Sequence, residues 1–313
     1  MEHILIIGAG GQIGVELTQA LRLAYGRNQV IASDIREVPA LLGDNGPFEH
    51  LDVLDAKAAA ALIQKYRITQ VYLLAAILSA KGETDPMWAW GINMPSLLNL
   101  LEICRENKVK KFYWPSSIAA FGPTTPRQNT PQHTIMEPTT VYGISKYTGE
   151  LWCQYYFNRY GLDIRSLRYP GVISWKSPPG GGTTDYAIEI YAEALKHKHY
   201  NCFLAEDTYL PMIYMPDAIR ATIELMDAPS GNIKNRMSYN LASMSFSPKE
   251  IAESIRKHIP DFTINYQPDF RQQIAEGWPQ SIDDREAREH WSWKPEYDLD
   301  KMTADMLENL ATQ

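Results

Sequence analysis

Tyr142 and Lys146 stand four residues apart in Tyr142-Gly143-Ile144-Ser145-Lys146, a spacing that puts both side chains on one face of a helix. A phenol is a poor base at its ordinary pKa of about 10. An ammonium within a few ångströms favours the phenolate and brings it toward working pH. Such a pair can take the proton of a substrate hydroxyl, provided that a second hydroxyl holds the oxygen. Ser116-Ser117 offers one, just after an apolar run at 112–114 that reads as a strand. A bare YxxxK pair is common on protein surfaces, so its meaning depends on what accompanies it.

It is accompanied by a glycine loop. Gly8, Gly11 and Gly14 form a GxxGxxG frame in Gly8-Ala9-Gly10-Gly11-Gln12-Ile13-Gly14, between an apolar run at 4–7 and a helical window. Such glycines allow a tight turn, close approach of backbone to a pyrophosphate, and close packing of helix on strand. The helix start, with its free N–H groups and positive dipole end, then receives the phosphates. Asp34 follows Gly14 by 20 residues, at the end of a second strand, where an acid binds ribose hydroxyls. Asp52-Val53 comes after a third turn, where an adenine edge is held. Asp34 repels a 2′-phosphate, so NAD is expected over NADP. Arg36 could accommodate that phosphate, but it reads better as a solvated surface charge.

These residues need a scaffold that brings strand ends together. Short apolar runs at 4–7, 30–33, 71–74, 112–114 and 164–167 alternate with helical windows at 12–25, 56–66, 95–107 and 142–160. Strands separated by helices imply a doubly wound parallel α/β sheet, buried on both faces. Residues 1–173 are expected to form a Rossmann domain that binds NAD and carries the catalytic groups. A Pro/Gly-rich stretch at 174–184 breaks the alternation. Helical windows follow at 184–195, 217–227, 248–258 and 299–310, so 174–313 reads mainly as a smaller, discontinuous substrate domain.

Composition narrows the function classes. The 313 residues are 45% hydrophobic and 21% charged, with 30 Lys+Arg against 37 Asp+Glu and a net charge of −7. No basic stripe serves a nucleic acid. The longest apolar stretch, near 71–80, falls short of the roughly 20 residues that a bilayer requires. Cys104, Cys153 and Cys202 form no CxxC pair and suit a reducing compartment, and the N-terminus lacks a secretory pattern. A cytoplasmic location is expected. The seven histidines are scattered along the chain, so no metal is expected.

Over nearly the whole chain, these motifs resemble the extended short-chain dehydrogenase/reductase family. The resemblance selects Ser117 over Ser116, because Ser117 lies 25 residues before Tyr142, the family's interval. It further implies that Leu74-Ala75-Ala76 borders the nicotinamide ribose. Asn93 then matches the asparagine that begins the following helix, and Arg168-Tyr169-Pro170-Gly171 flanks the nicotinamide, with Tyr169 among the cofactor contacts beside Gln12 and Ile13. The stretches at 115–122, 180–187 and 277–283 resemble those of the short-chain-type L-threonine 3-dehydrogenases. That likeness implies oxidation of the threonine side-chain hydroxyl by NAD to 2-amino-3-oxobutanoate. Tyr142 would be the base, Ser117 the holder of the developing carbonyl, and Lys146 the group that lowers the tyrosine pKa and touches the ribose. Ser79, Thr184 and Trp278 are substrate candidates by likeness alone.

Two other functions compete. A nucleotide-sugar epimerase or dehydratase fits the scaffold, but Ile118-Ala119 replaces the dehydratase acidic pair, and no basic residue precedes Asp217 in 210–217. A non-catalytic NAD-sensing protein would not need the Ser117, Tyr142 and Lys146 set. The windows at 95–107 and 142–160 are apolar on more than one face. Cover by C-terminal segments would satisfy them; a homodimer through these two helices is preferred. The loops at 180–184 and 277–279 are expected to close over the nicotinamide, with Trp278 either a lid or a packing residue.

Overall fold

A computed structural model describes residues 2–38, 40–43, 45–177 and 179–312. The first half runs β1 (Ile4–Ile7), α1 (Gln12–Tyr25), β2 (Val30–Asp34), β3 (Phe48–His50), α2 (Ala56–Lys65), β4 (Gln70–Leu73), α3 (Ser79–Thr84), α4 (Pro86–Glu106), β5 (Lys111–Tyr113), β6 (Ser116–Ser117), α5 (Val141–Tyr160) and β7 (Asp163–Arg165). Strands order as β3-β2-β1-β4-β5-β7, every pair parallel. Alternation along each strand feeds two cores. Ile4 and Ile6 face Leu17 and Leu21 of α1, whereas Leu5 and Ile7 share a core with Leu97 and Leu101 of α4. The strand order reverses between β1 and β4, which opens a crevice at their carboxyl ends.

The second half adds β8 (Leu167–Tyr169), β9 (Gly171–Ile173), α6 (Tyr186–His197), β10 (His199–Cys202), β11 (Leu210–Tyr214), α7 (Met215–Asp227), β12 (Tyr239–Asn240), β13 (Met244–Phe246), α8 (Pro248–Arg256), β14 (Thr263–Tyr266), α9 (Arg271–Glu276), α10 (Arg285–Trp291) and α11 (Leu299–Ala311). Three small sheets, β12-β8-β6, β13-β11-β9 and β10-β14, accompany the large one. α7 packs on α1, and its Ala218, Leu225 and Met226 join the core under β1. A third core gathers Ile118 and Phe121 with residues of α6, α8 and α11.

The structure corrects several sequence expectations. The helix expected over 95–107 starts at Pro86, where the Asp85 carboxylate accepts from the Trp88 N–H at 3.0 Å. Pro95 therefore lies inside a helix and leaves the Gly91 carbonyl without its usual donor. Short β3, α3, α9 and α10 carried no periodic signal long enough to read. In α4, Leu97, Leu100, Leu101 and Cys104 are fully buried against the sheet, whereas Met87 and Trp88 in its first turn are exposed. On α5, Leu151, Trp152 and Tyr155 are exposed as well. Among the described residues, no helix is long and apolar enough to cross a membrane. The three cysteines are free and buried.

Candidate active site

The glycine loop is shaped by backbone contact. Gly8 takes φ 92°, where only glycine is unstrained, and a Cβ there would lie 2.5 Å from the Ala75 nitrogen. At Gly14 a Cβ would lie 2.8 Å from two backbone atoms of Ala9. Gly11 caps α1 with no side chain on the first N–H groups, and the first turn has no acid. Those donors and the positive helix end suit a pyrophosphate. The Asp34 Oδ2 accepts from the Gly10 N–H at 2.8 Å, and its Oδ1 accepts from the Arg36 N–H and Nε at 3.0 Å. Burial acts against the Asp34 charge, but the Arg36 and Gly10 hydrogen bonds outweigh it and leave the pKa lowered. Arg36 is an exposed, solvated charge, its side chain 64% accessible, and it also pairs with Asp34. These features fit an NAD site with its ribose end at Asp34.

Other expected cofactor contacts fall into two sets. Leu74, Ala75 and Ala76 remain partly exposed beside Gly8, and Ile13 is partly exposed at the start of α1. Gln12 donates to the Val172 carbonyl at 3.3 Å, tying α1 to β9. Asp52 accepts from the Leu54 N–H at 2.9 Å in a local turn, and Val53 packs in the core. Asn93 does not begin a helix; it lies within α4, and its amide bonds both the N–H and the carbonyl of Ile77. It holds the strand-end loop after β4. The Tyr169 phenol points into the core, where it accepts from the Tyr113 hydroxyl at 2.8 Å and meets Thr222.

At the catalytic set, α5 begins where Thr140 Oγ accepts from the Gly143 N–H at 3.0 Å. The turn after Ser117 packs so closely on α5 that a Cβ at Gly143 would overlap the Ala119 carbonyl. That approach brings the Ser117 hydroxyl beside the Tyr142 phenol, while its Oγ accepts from the Ala119 N–H at 3.2 Å. Burial pushes the phenol up to about 12, and the Ser117 hydroxyl opposes that rise. Lys146 Nζ donates to the Pro115 carbonyl at 2.6 Å, 5.3 Å from the Tyr142 ring centre and 4.5 Å from that of Trp114. Burial pushes Lys146 down to about 7, against the field of Glu150. Ser116 turns the other way, its hydroxyl donating to Glu150 Oε1 at 2.6 Å. Lys146, Trp114 and Pro115 therefore act together, a grouping that residue spacing did not reveal.

The Ser79 hydroxyl lies 3.3 Å from that of Thr183, so the loop after β9 meets α3 through the neighbour of Thr184. Thr184 is partly exposed and packs on Gly171, where a Cβ would come within 2.8 Å of its methyl group. Asp185 shapes the loop by accepting from the Gly181 and Gly182 N–H groups, each at 2.8 Å. Trp278 is only 6% exposed and sits in the third core, which Tyr142 borders. Of its two expected roles, this position favours packing. Thr183, Asp185 and Pro115 lie in the stretches at 180–187 and 115–122 that the sequence marks, but their contacts depend on segments far away in the chain and gave them no role there.

The chain matches the NAD dependent epimerase/dehydratase family over residues 4–242. An uncharacterised epimerase/dehydratase of Staphylococcus haemolyticus is 48% identical over 98% of this chain and 97% of its own length. A solved L-threonine dehydrogenase of Cupriavidus necator in holo form shares 57% identity, with a TM-score of 0.96 over 98% of this chain and 99% of that one. A monomeric L-threonine 3-dehydrogenase from a metagenome shares 47% identity, with a TM-score of 0.95 over 99% of each chain. The parallel sheet agrees with these likenesses, and the chain is an NAD-dependent enzyme of the extended short-chain dehydrogenase/reductase family, the group of NAD-dependent epimerases and dehydratases.

Proposed function

We propose that the protein oxidises the side-chain hydroxyl of L-threonine with NAD, giving 2-amino-3-oxobutanoate. The Ser117 hydroxyl at the end of β6, set beside the buried Tyr142 phenol at the start of α5, carries this reading. The extensive identity to proteins named as L-threonine dehydrogenases supports the substrate. Gly8 to Gly14, Asp34 and the 74–76 backbone would hold NAD, which supplies the acceptor for the hydride that leaves the substrate Cβ. Tyr142 Oη takes the hydroxyl proton. Ser117 Oγ donates to the substrate oxygen and strengthens that bond as the oxygen becomes a carbonyl. Lys146, its Nζ 5.3 Å from the Tyr142 ring centre, favours the phenolate by its charge. Ser79, Thr183 and Thr184 form the polar wall nearest the amino-acid end.

This reading assigns cofactor and catalytic groups to 1–173 and most substrate contacts to 174–313, with α7 returning to the first part. It also includes a homodimer through exposed Ile144, Leu151, Trp152 and Tyr155 of α5 and Trp88 of α4, and a reducing, cytoplasmic setting for the three thiols. The test is NADH formation by purified protein with L-threonine, its stereoisomers, L-serine, 3-hydroxybutyrate and a sugar nucleotide. L-Threonine should be preferred, and Tyr142→Phe should lose at least about 10²-fold in turnover while still binding NAD. Absence of NADH with L-threonine would remove the substrate assignment.

A further inference from the structure

The catalytic serine stands on a strand too short to hold itself in place. β6 is two residues long, lies outside the six-stranded sheet, and pairs only with β8, Ser116 against Arg168 and Ser117 against Tyr169. Side chains alternate across a strand, so when Ser117 faces the site, Ser116 faces the interior, where it is 2% exposed. Its hydroxyl donates to Glu150. Glu150 stands four residues beyond Lys146 and eight beyond Tyr142, on the same side of α5. One helix stripe thus faces three consecutive residues: Lys146 donates to the Pro115 carbonyl, Glu150 accepts from the Ser116 hydroxyl, and Tyr142 lies beside Ser117.

The Glu150 carboxylate is itself held. Arg168 Nη2 donates to Oε2 at 2.7 Å and Nε to Oε1 at 2.9 Å. Arg168 Nη1 donates to the Gln132 carbonyl and to Asn240 Oδ1, both at 3.0 Å. Both side chains are nearly inaccessible, Glu150 at 0% and Arg168 at 3%. A buried ion pair of this kind adds little net stability compared with apolar residues of the same volume. A fully satisfied buried network does select one arrangement of the elements that it joins. Here those elements are the catalytic helix, the serine strand, β8 and β12.

We propose that Ser116, Glu150 and Arg168 are positioning residues for the reaction: through the Ser116–Glu150 hydrogen bond they hold Ser117 at the distance and orientation that Tyr142 requires. None of the three touches substrate or cofactor in this scheme, which rests on the proposed alcohol oxidation for its kinetic consequence and on geometry alone for its structural one. Losing the Ser116 hydroxyl frees a two-residue strand to shift, and displacement by about 1 Å costs up to about 10²-fold in rate.

Ser116→Ala is the mildest perturbation, because it leaves Glu150 paired with Arg168. Turnover should fall about 10- to 100-fold, with KM for NAD and the thermal midpoint close to wild type. A purely structural role would move the midpoint instead. Crystal structures of wild type and variant give a readout that needs no substrate, with Ser117 Oγ displaced relative to Tyr142 Oη by about 1 Å or more in the variant. An unchanged separation of the two oxygens overturns the proposal, as does turnover within two-fold of wild type. If the wild type oxidises no alcohol, the functional reading fails, while the crystallographic result still decides the positioning role.

Discussion

A single methyl group added at Gly14 should separate what the glycine frame does for folding from what it does for NAD. In Gly14→Ala the new Cβ would lie 2.8 Å from both the Cα and the carbonyl carbon of Ala9, and closer still to the Gly8 oxygen. All three are backbone atoms, so no side chain can swing aside. Relief requires α1 to retreat from β1 by about 1 Å, an overpacking that costs about 1–3 kcal/mol. For a chain of this length, an unfolding entropy of about 2 cal/mol/K per residue converts that cost into a melting-point loss of about 2–5 °C. The retreat also carries the helix-start N–H groups away from the pyrophosphate. NAD affinity, measured by calorimetric titration, should fall at least about ten-fold. Gly11→Ala is the control. Its Cβ would meet only the Gly8 oxygen, at 3.4 Å, and its φ of −78° suits any residue. Its melting point should stay within about 1 °C of wild type, while NAD affinity falls because the methyl group stands where the backbone must approach phosphate. A Gly14→Ala protein with unchanged melting point and unchanged NAD affinity would refute this account of the loop.

Three further outcomes are expected. The kcat/KM for oxidation should rise with pH, because burial pushes the Tyr142 phenol up to about 12 and it must give up its proton before it can accept one from substrate. Lys146→Met removes an ammonium 5.3 Å from the Tyr142 ring centre that favours the phenolate, so the rise should move to higher pH; an unchanged pH profile would mean that the lysine does not tune the phenol. Asp34→Ser should raise kcat/KM with NADP relative to NAD, since it removes a carboxylate and releases the Arg36 guanidinium that the carboxylate now binds; equal use of both cofactors by the wild type would defeat the assignment. Trp278→Ala should lower stability by about 3–5 kcal/mol, the usual cost of emptying a buried tryptophan site, seen in chemical denaturation; a loss under about 1 kcal/mol together with a raised KM for threonine would restore the lid role.

The sequence by itself determined whatever depends on spacing along one element. Tyr142 and Lys146 share a face because a helix repeats every 3.6 residues, and α5 runs from Val141 to Tyr160 as that pattern requires. Gly8, Gly11 and Gly14 mark a turn between strand and helix, and α1 occupies Gln12–Tyr25, the window expected. Asp34 closes β2, as its distance from the loop implied. Tertiary structure decided everything that depends on which segments meet. The family interval already picked Ser117 over Ser116, but only the pairing of β6 with β8 gave Ser116 its own role, turned inward toward Glu150. It sent the Lys146 ammonium to the Pro115 carbonyl, folded Arg36 back onto Asp34, and drew Tyr169 into a core with Tyr113 and Thr222. It placed Asn93 inside a helix that a proline seemed to forbid. The physical reason is the same in each case: a side chain's period is set locally by backbone geometry, but its partner is chosen by packing between residues far apart in the chain, where burial and hydrogen-bond satisfaction admit one arrangement.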